Sequence, residues 1–95
     1  MEHLYFISYD IRDRRRWARV FKTMKGYGEW MQFSVFQCRL NKMRLLKLES
    51  ALNDIVKHDE DHVLIADLGP ADEVKVKVHS IGLSFAPAVH ESVIV

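Results

Sequence analysis

Read as a run of apolar and polar positions, the chain changes period several times. HLYFISYD (3–10) is aromatic and β-branched, with Leu4 and Phe6 on one face and Tyr5, Ile7 and Tyr9 on the other. A strand apolar on both sides is central and covered twice. Asp10 stands where it ends. Asp13 is a good N-cap for a helix over about 14–25, on which Trp17, Val20, Phe21 and Met24 share one side. Gly26 sits at the usual stop position and Gly28 in the turn beyond it. WMQFSVFQCRL (30–40) predicts one long strand, with Met31, Phe33 and Val35 on one face and Trp30, Phe36, Cys38 and Leu40 on the other. Asn41 caps a second helix over 42–57, with Leu45, Leu48, Leu52, Ile55 and Val56 as its buried stripe. HVLIADL (62–68) is a third strand, followed by a turn at Gly69 and Pro70. EVKVKVHS (73–80) alternates Val74, Val76 and Val78 against Lys75, Lys77 and His79, the pattern of a half-exposed edge strand. SVIV (92–95) reads as a short terminal strand that must pair with something.

Two helices among these strands predict an α+β sandwich, a four-stranded sheet backed by both helices, with the strand order left open. A length of 95 residues implies one domain, 1–95. Such a chain buries only roughly 60–65% of its unfolded surface, so a two-sided sheet would gain from a partner. Apolar residues at 48% and charged residues at 28% fit an ordered globular protein rather than a disordered one. No apolar run approaches the roughly 18 residues that a membrane span needs. MEHLYF has no basic segment before its apolar run and no cleavage site, so no secretory leader is expected. Cys38 is the only cysteine, which excludes an internal disulfide and suits a reducing cytoplasm. Inside an apolar run it reads as a small buried hydrophobe.

A net charge of +1 hides a split. Residues 1–50 carry eleven Lys/Arg and five Asp/Glu, about +6; residues 51–95 carry three and eight, about −5. This asymmetry points to a polyanion-facing surface, or to halves that neutralise each other within the domain or between two chains. The positive charge is concentrated in DIRDRRRWARVFKTMK (10–25), where Asp13 is the only acid between Arg12 and Lys25. On a helical wheel Arg15, Arg19 and Lys22 lie opposite the apolar side, flanked by Arg14, Arg16 and Lys25. A face shaped for solubility alone would mix signs in i,i+4 pairs. Arg12, Arg14, Arg15, Arg16, Arg19 and Lys22 are therefore candidates for phosphate contact. No aromatic shares that face, so backbone contact rather than base stacking is expected.

Asp10, at a strand's C-terminal end before a loop and a helix, is the candidate catalytic group and metal ligand. Its hard carboxylate oxygens suit Mg²⁺ or Mn²⁺. One carboxylate alone is a poor site, and a second chain would supply a second copy; ordinary turn chemistry is the competing reading. Asp67 ends the third strand as Asp10 ends the first, so neighbouring strands would let the two acids share an ion. His58 and His62 are four apart, but HDEDH reads as a helix end and charged turn rather than a zinc site. Ser34 has no His and acid in a triad pattern, and no Gly-rich phosphate loop occurs.

YFISYDIRD, the basic helix after it, and GEWMQFSVFQCRL together resemble the small CRISPR-associated nuclease of spacer acquisition, the second core protein family of that system. The Tyr-Asp-Ile ending the first strand and the Ser-Val-Phe-Gln-Cys run are the most specific pieces, and the likeness covers most of the chain. The resemblance implies a ferredoxin-like fold with both helices on one face of the sheet. It also implies a symmetric homodimer with the sheets facing and the C-terminal strand crossing to the partner. On that resemblance Asp10 matches the family aspartate, two copies of which can hold one divalent cation near the two-fold axis for phosphodiester cleavage of RNA or DNA. It equally implies a non-catalytic role, a dimer that bridges CRISPR integrase dimers and presents Arg14, Arg15, Arg16, Arg19 and Lys22 to protospacer duplex DNA. Gln37 stands where the family often has Glu. A toxin-like ribonuclease of the same fold is a further alternative.

Overall fold

β1 (His3–Asp10) and α1 (Arg14–Lys25) lead into β2 (Glu29–Gln32) and β3 (Val35–Leu40), and α2 (Lys42–Ile55) then leads into β4 (His62–Pro70). These come from a computed structural model that describes residues 1–83. The order β-α-β-β-α-β, with the sheet arranged β2-β3-β1-β4 and every pairing antiparallel, is a ferredoxin-like fold. β1 is central, as its doubly apolar pattern requires. Its register sets Ile7 against Phe36 of β3 and Ile65 of β4.

Both helices pack on one face. Tyr5, Ile7 and Tyr9 of β1 and Phe36, Cys38 and Leu40 of β3 meet Val20 and Met24 of α1 and Leu48 and Leu52 of α2 in one buried cluster. Burying each of the larger of these side chains contributes about 1.5–3 kcal/mol. Asp13 starts α1 by accepting from the Arg16 N–H at 3.0 Å, and Asn41 starts α2 by accepting from the Arg44 N–H at 2.8 Å. These caps satisfy amides that the first helical turn cannot pair. α2 ends at Ile55, two residues before the expected limit, and β4 runs on through Gly69 and Pro70.

Two expectations are corrected. The long strand over 30–40 is a hairpin, β2 and β3, reversing at Phe33 and Ser34. Trp30 pairs with Phe36 and Gln32 with Val35, with a shift in register between the two pairs that keeps Trp30 and Phe36 on one face, so the apolar alternation along the sequence gives no sign of the reversal. Phe-Ser also lacks the Gly or Asn that marks most tight turns; Phe33 itself takes the left-handed conformation, φ 32°. The strand expected over 73–80 is not formed: no strand follows Pro70 among the described residues. Val74 and Val76 are half-buried and Val78 is exposed, so the alternation marks a covered side without a backbone partner. The expected 92–95 strand lies outside the described residues.

Candidate functional site

Asp10 is the last residue of β1, directly opposite His62 of β4. The pleat sends Tyr9 into the core, 5% exposed, and leaves Asp10 on the side away from the helices, exposed. The Tyr9 N–H donates to the Ser34 carbonyl at 3.1 Å, tying this strand end to the β2–β3 turn. The Asp10 carboxylate has no hydrogen bond or ion pair with any described residue. It is therefore a fixed backbone position with uncommitted oxygens. Among the described residues no group of three or more His, Cys, Asp or Glu side chains could hold a metal ion. An ion at Asp10 would draw its other ligands from water, substrate or a second chain.

An ion shared by Asp67 and Asp10 of one chain, the possibility that neighbouring strands raised, is excluded by the register. β1 and β4 are neighbours, but they are antiparallel: Asp67 lies opposite Tyr5 and His62 opposite Asp10. Five residues of strand separate the two acids, about 17 Å. Asp67 is occupied elsewhere. It accepts from His3 Nδ1 at 2.9 and 3.1 Å and from the Gly69 N–H at 2.9 Å, and these bonds, His3 first, hold its carboxyl below the usual range.

Arg14, Arg15, Arg19 and Lys22 are exposed, and no described acid pairs with them. The Arg12 side chain is exposed as well, while its backbone N–H donates to Asp61 Oδ1 at 2.9 Å. Arg16 stands apart from these cations. It donates from Nε to Asp61 Oδ2 at 2.8 Å and from Nη2 to Glu60 Oε1 at 3.0 Å, which commits its charge within the domain. The Asp61 side chain is fully buried and also accepts from the Lys57 N–H at 2.9 Å. The Arg16 guanidinium, with the two backbone donors, outweighs burial and pushes the Asp61 carboxyl far below the usual carboxylate range. This junction joins the loop after Asp10, the start of α1 and the start of β4. Sequence reading missed it, since KHDEDH looks like a solvated turn. Arg39 likewise bridges Glu2 and Asp72, so part of the charge split is neutralised internally.

The β2–β3 turn brings an aromatic residue to this end of the molecule. Phe33 is 73% exposed and stacks on Trp17 with ring centroids 5.5 Å apart, and Trp17 stacks on Phe21 at 5.2 Å. The Trp17 indole N–H donates to Ser34 Oγ at 2.7 Å and the Trp30 indole N–H to the Phe33 carbonyl at 3.1 Å. Cys38 is fully buried, and burial pushes its thiol up to about 12, which makes it inert.

Comparison with known proteins gives a consistent result. The sequence pattern of the family described as CRISPR associated protein Cas2 matches residues 3–76. The CRISPR-associated endoribonuclease Cas2 of Geobacter sulfurreducens is 63% identical over 95 residues, all of both chains. CRISPR-associated endoribonuclease Cas2 1 of Rhodospirillum rubrum is 48% identical over 94 residues, 99% of this chain and 92% of that one. Among solved structures, one titled "Crystal structure of cas2" superposes with TM-score 0.75 at 35% identity, over 87% of this chain and 90% of its own. The hypothetical protein TT1823 from Thermus thermophilus superposes with TM-score 0.77 at 28% identity, over 90% of this chain and 100% of its own.

Proposed function

This chain belongs to the CRISPR-associated Cas2 family, and from that premise we propose that it is a metal-dependent endonuclease of spacer acquisition. It acts as a symmetric homodimer in which Asp10 and the partner subunit's Asp10 hold one Mg²⁺ or Mn²⁺. The observation that carries this reading is the exposed Asp10 carboxylate on a strand end, which, like the cations Arg14, Arg15, Arg19 and Lys22 that follow it, has no partner among the described residues. Its hard oxygens fit such an ion as an anchor; one carboxylate does not make a cage, so the second copy is part of the site. When bound, the cation would supply stabilisation of charge developing on the scissile phosphate.

The chain's own residues bind and orient. Arg12, Arg14, Arg15, Arg19 and Lys22 would take backbone phosphates, while Arg16, held by Asp61 and Glu60, braces the helix that carries them. The relatives' name, endoribonuclease, favours RNA as substrate. No helix among the described residues is long and apolar enough to cross a membrane, and we place the protein in a prokaryotic cytoplasm. The test compares wild type with Asp10→Ala on RNA and on duplex DNA, with Mg²⁺ and with chelator. Cleavage by the wild type with Mg²⁺ alone supports the reading; activity that survives chelator or the substitution defeats it.

The same cations, without an acidic partner among the described residues, favour a second reading, a scaffold that binds protospacer duplex DNA and bridges integrase dimers. Reversing the charge at Arg15 and Arg19 should then weaken duplex binding and reduce the slope of log K against log salt by about 0.9 for each lost phosphate contact. An unchanged slope would remove this reading.

A further inference from the structure

Phe33 combines four properties that an ordinary surface side chain does not share. Its ring is 73% exposed, although phenylalanine gains nothing from water. Its backbone is the one non-glycine position among the described residues with positive φ, a conformation that bulky side chains avoid and that tends to persist where it serves a function. Three hydrogen bonds hold the turn beneath it: Trp17 to Ser34 Oγ, Trp30 to the Phe33 carbonyl, and the Tyr9 amide to the Ser34 carbonyl. Its ring also ends a stack. Phe21 and Trp17 lie nearly parallel, at 10°, and Phe33 follows Trp17 at 29°.

Location gives this stack a use. β1 and β3 pair Ser8 with Val35, and the Tyr9 N–H donates to the Ser34 carbonyl, so the turn that carries Phe33 lies at the end of β1 where Asp10 stands. Arg14 precedes Trp17 by three residues, one turn back on the same side of α1, and no described acid pairs with it. A rigid aromatic face next to an uncommitted cation fits a nucleotide, whose base stacks while its phosphate meets the charge.

We propose that Phe33 is a stacking platform for one unpaired nucleobase at the Asp10 end of the sheet, so that the protein engages single-stranded nucleic acid, or a frayed duplex end, in preference to continuous duplex. This rests on the nucleic-acid reading above and adds to it a determinant that phosphate contacts cannot provide, since phosphates are alike in paired and unpaired strands.

The test measures binding by fluorescence anisotropy at fixed salt. The ligands are a 12-nucleotide single-stranded RNA, the DNA strand of the same sequence, and the covalently closed duplex. The expected result is that Phe33→Ala weakens single-strand binding about tenfold, the effect of one lost stacking contact. Duplex binding should change less than twofold. Phe33→Trp should restore the single-strand affinity, and Phe33→Leu, apolar without a π face, should not. Loss on both strands assigns the base alone; loss on RNA only assigns a ribose-dependent pose of the same platform. Equal loss on all three ligands, or none, overturns the platform and leaves phosphate binding standing. A change of oligomeric state in Phe33→Ala, read by light scattering, also overturns it, because a second copy then covers the ring. Wild type that binds none of the three defeats the nucleic-acid reading itself, and the platform with it.

Discussion

Asp61 accepts from the backbone N–H groups of Arg12 and Lys57 and from two nitrogens of Arg16. Replacing it with Ala leaves two backbone donors without an acceptor and the Arg16 guanidinium with Glu60 alone. The expected loss is about 3 kcal/mol of stability, read as a fall in urea midpoint with unchanged slope. Arg16 itself is partly exposed, so more of the loss comes from stranded donors than from the ion pair. The pH dependence has a definite sign. The folded Asp61 carboxyl is held below its unfolded value, so between the two the unfolded chain binds more protons. The contribution is complete above about pH 4 and is lost as pH falls below that. Asp61→Asn should therefore flatten the acid side of the stability profile; an acid limb identical to wild type would contradict this role. At this scale the sequence revealed the groups that act locally. Asp13 was legible as a cap from its place before a helix, and Asp10 as a candidate from its place after a strand. The Arg16–Asp61 contact spans 45 positions, and no local pattern encodes it. Cys38 should resist a thiol reagent in the native protein and react on unfolding; rapid labelling of the folded chain would contradict its burial.

β2 is only four residues long and an edge, yet it positions the turn beside Asp10. Its entry depends on Gly28, where a Cβ would strike Cys38 Sγ and come within 2.6 Å of the Gln37 carbonyl oxygen of β3. The Gln37 contact is backbone and cannot swing away, so Gly28→Ala should destabilise by about 1–3 kcal/mol through overpacking. Thermal melting within a degree of wild type would show that the hairpin can shift. Trp17→Phe should keep a ring in the stack while removing the hydrogen bond to Ser34, at a cost of about 1 kcal/mol. The elements themselves followed from periodicity and caps: β1, α1, α2 and β4 stand close to where the pattern put them. The β2–β3 turn did not, because Phe33 and Ser34 carry no turn signal and the alternation is the same on both arms. Residues 73–80 showed the converse, a strand-like alternation with no ladder. A pattern reports which side is covered, and pairing depends on which backbone lies alongside.

For the whole molecule, the opposed charges of the two halves resolve into two uses. Some acids of the second half serve the fold, Asp61 and Glu60 on Arg16 and Asp72 on Arg39, while Arg14, Arg15, Arg19 and Lys22 remain uncommitted among the described residues. The linear sequence showed the excess but could not show which cations were already spoken for. The doubly apolar β1 fits a sheet with a second covered face, and Leu64 on that side of β4 is 60% exposed in the single chain. In the proposed function this face and the chemistry meet, because two subunits would share one cation through paired Asp10 residues. Titrating Mn²⁺ into the protein by calorimetry, with chain concentration fixed by amino-acid analysis, decides whether they do. One ion per two chains is expected, with binding abolished in Asp10→Asn and the folded dimer retained. One ion per chain, or binding that survives the substitution, would contradict the claim.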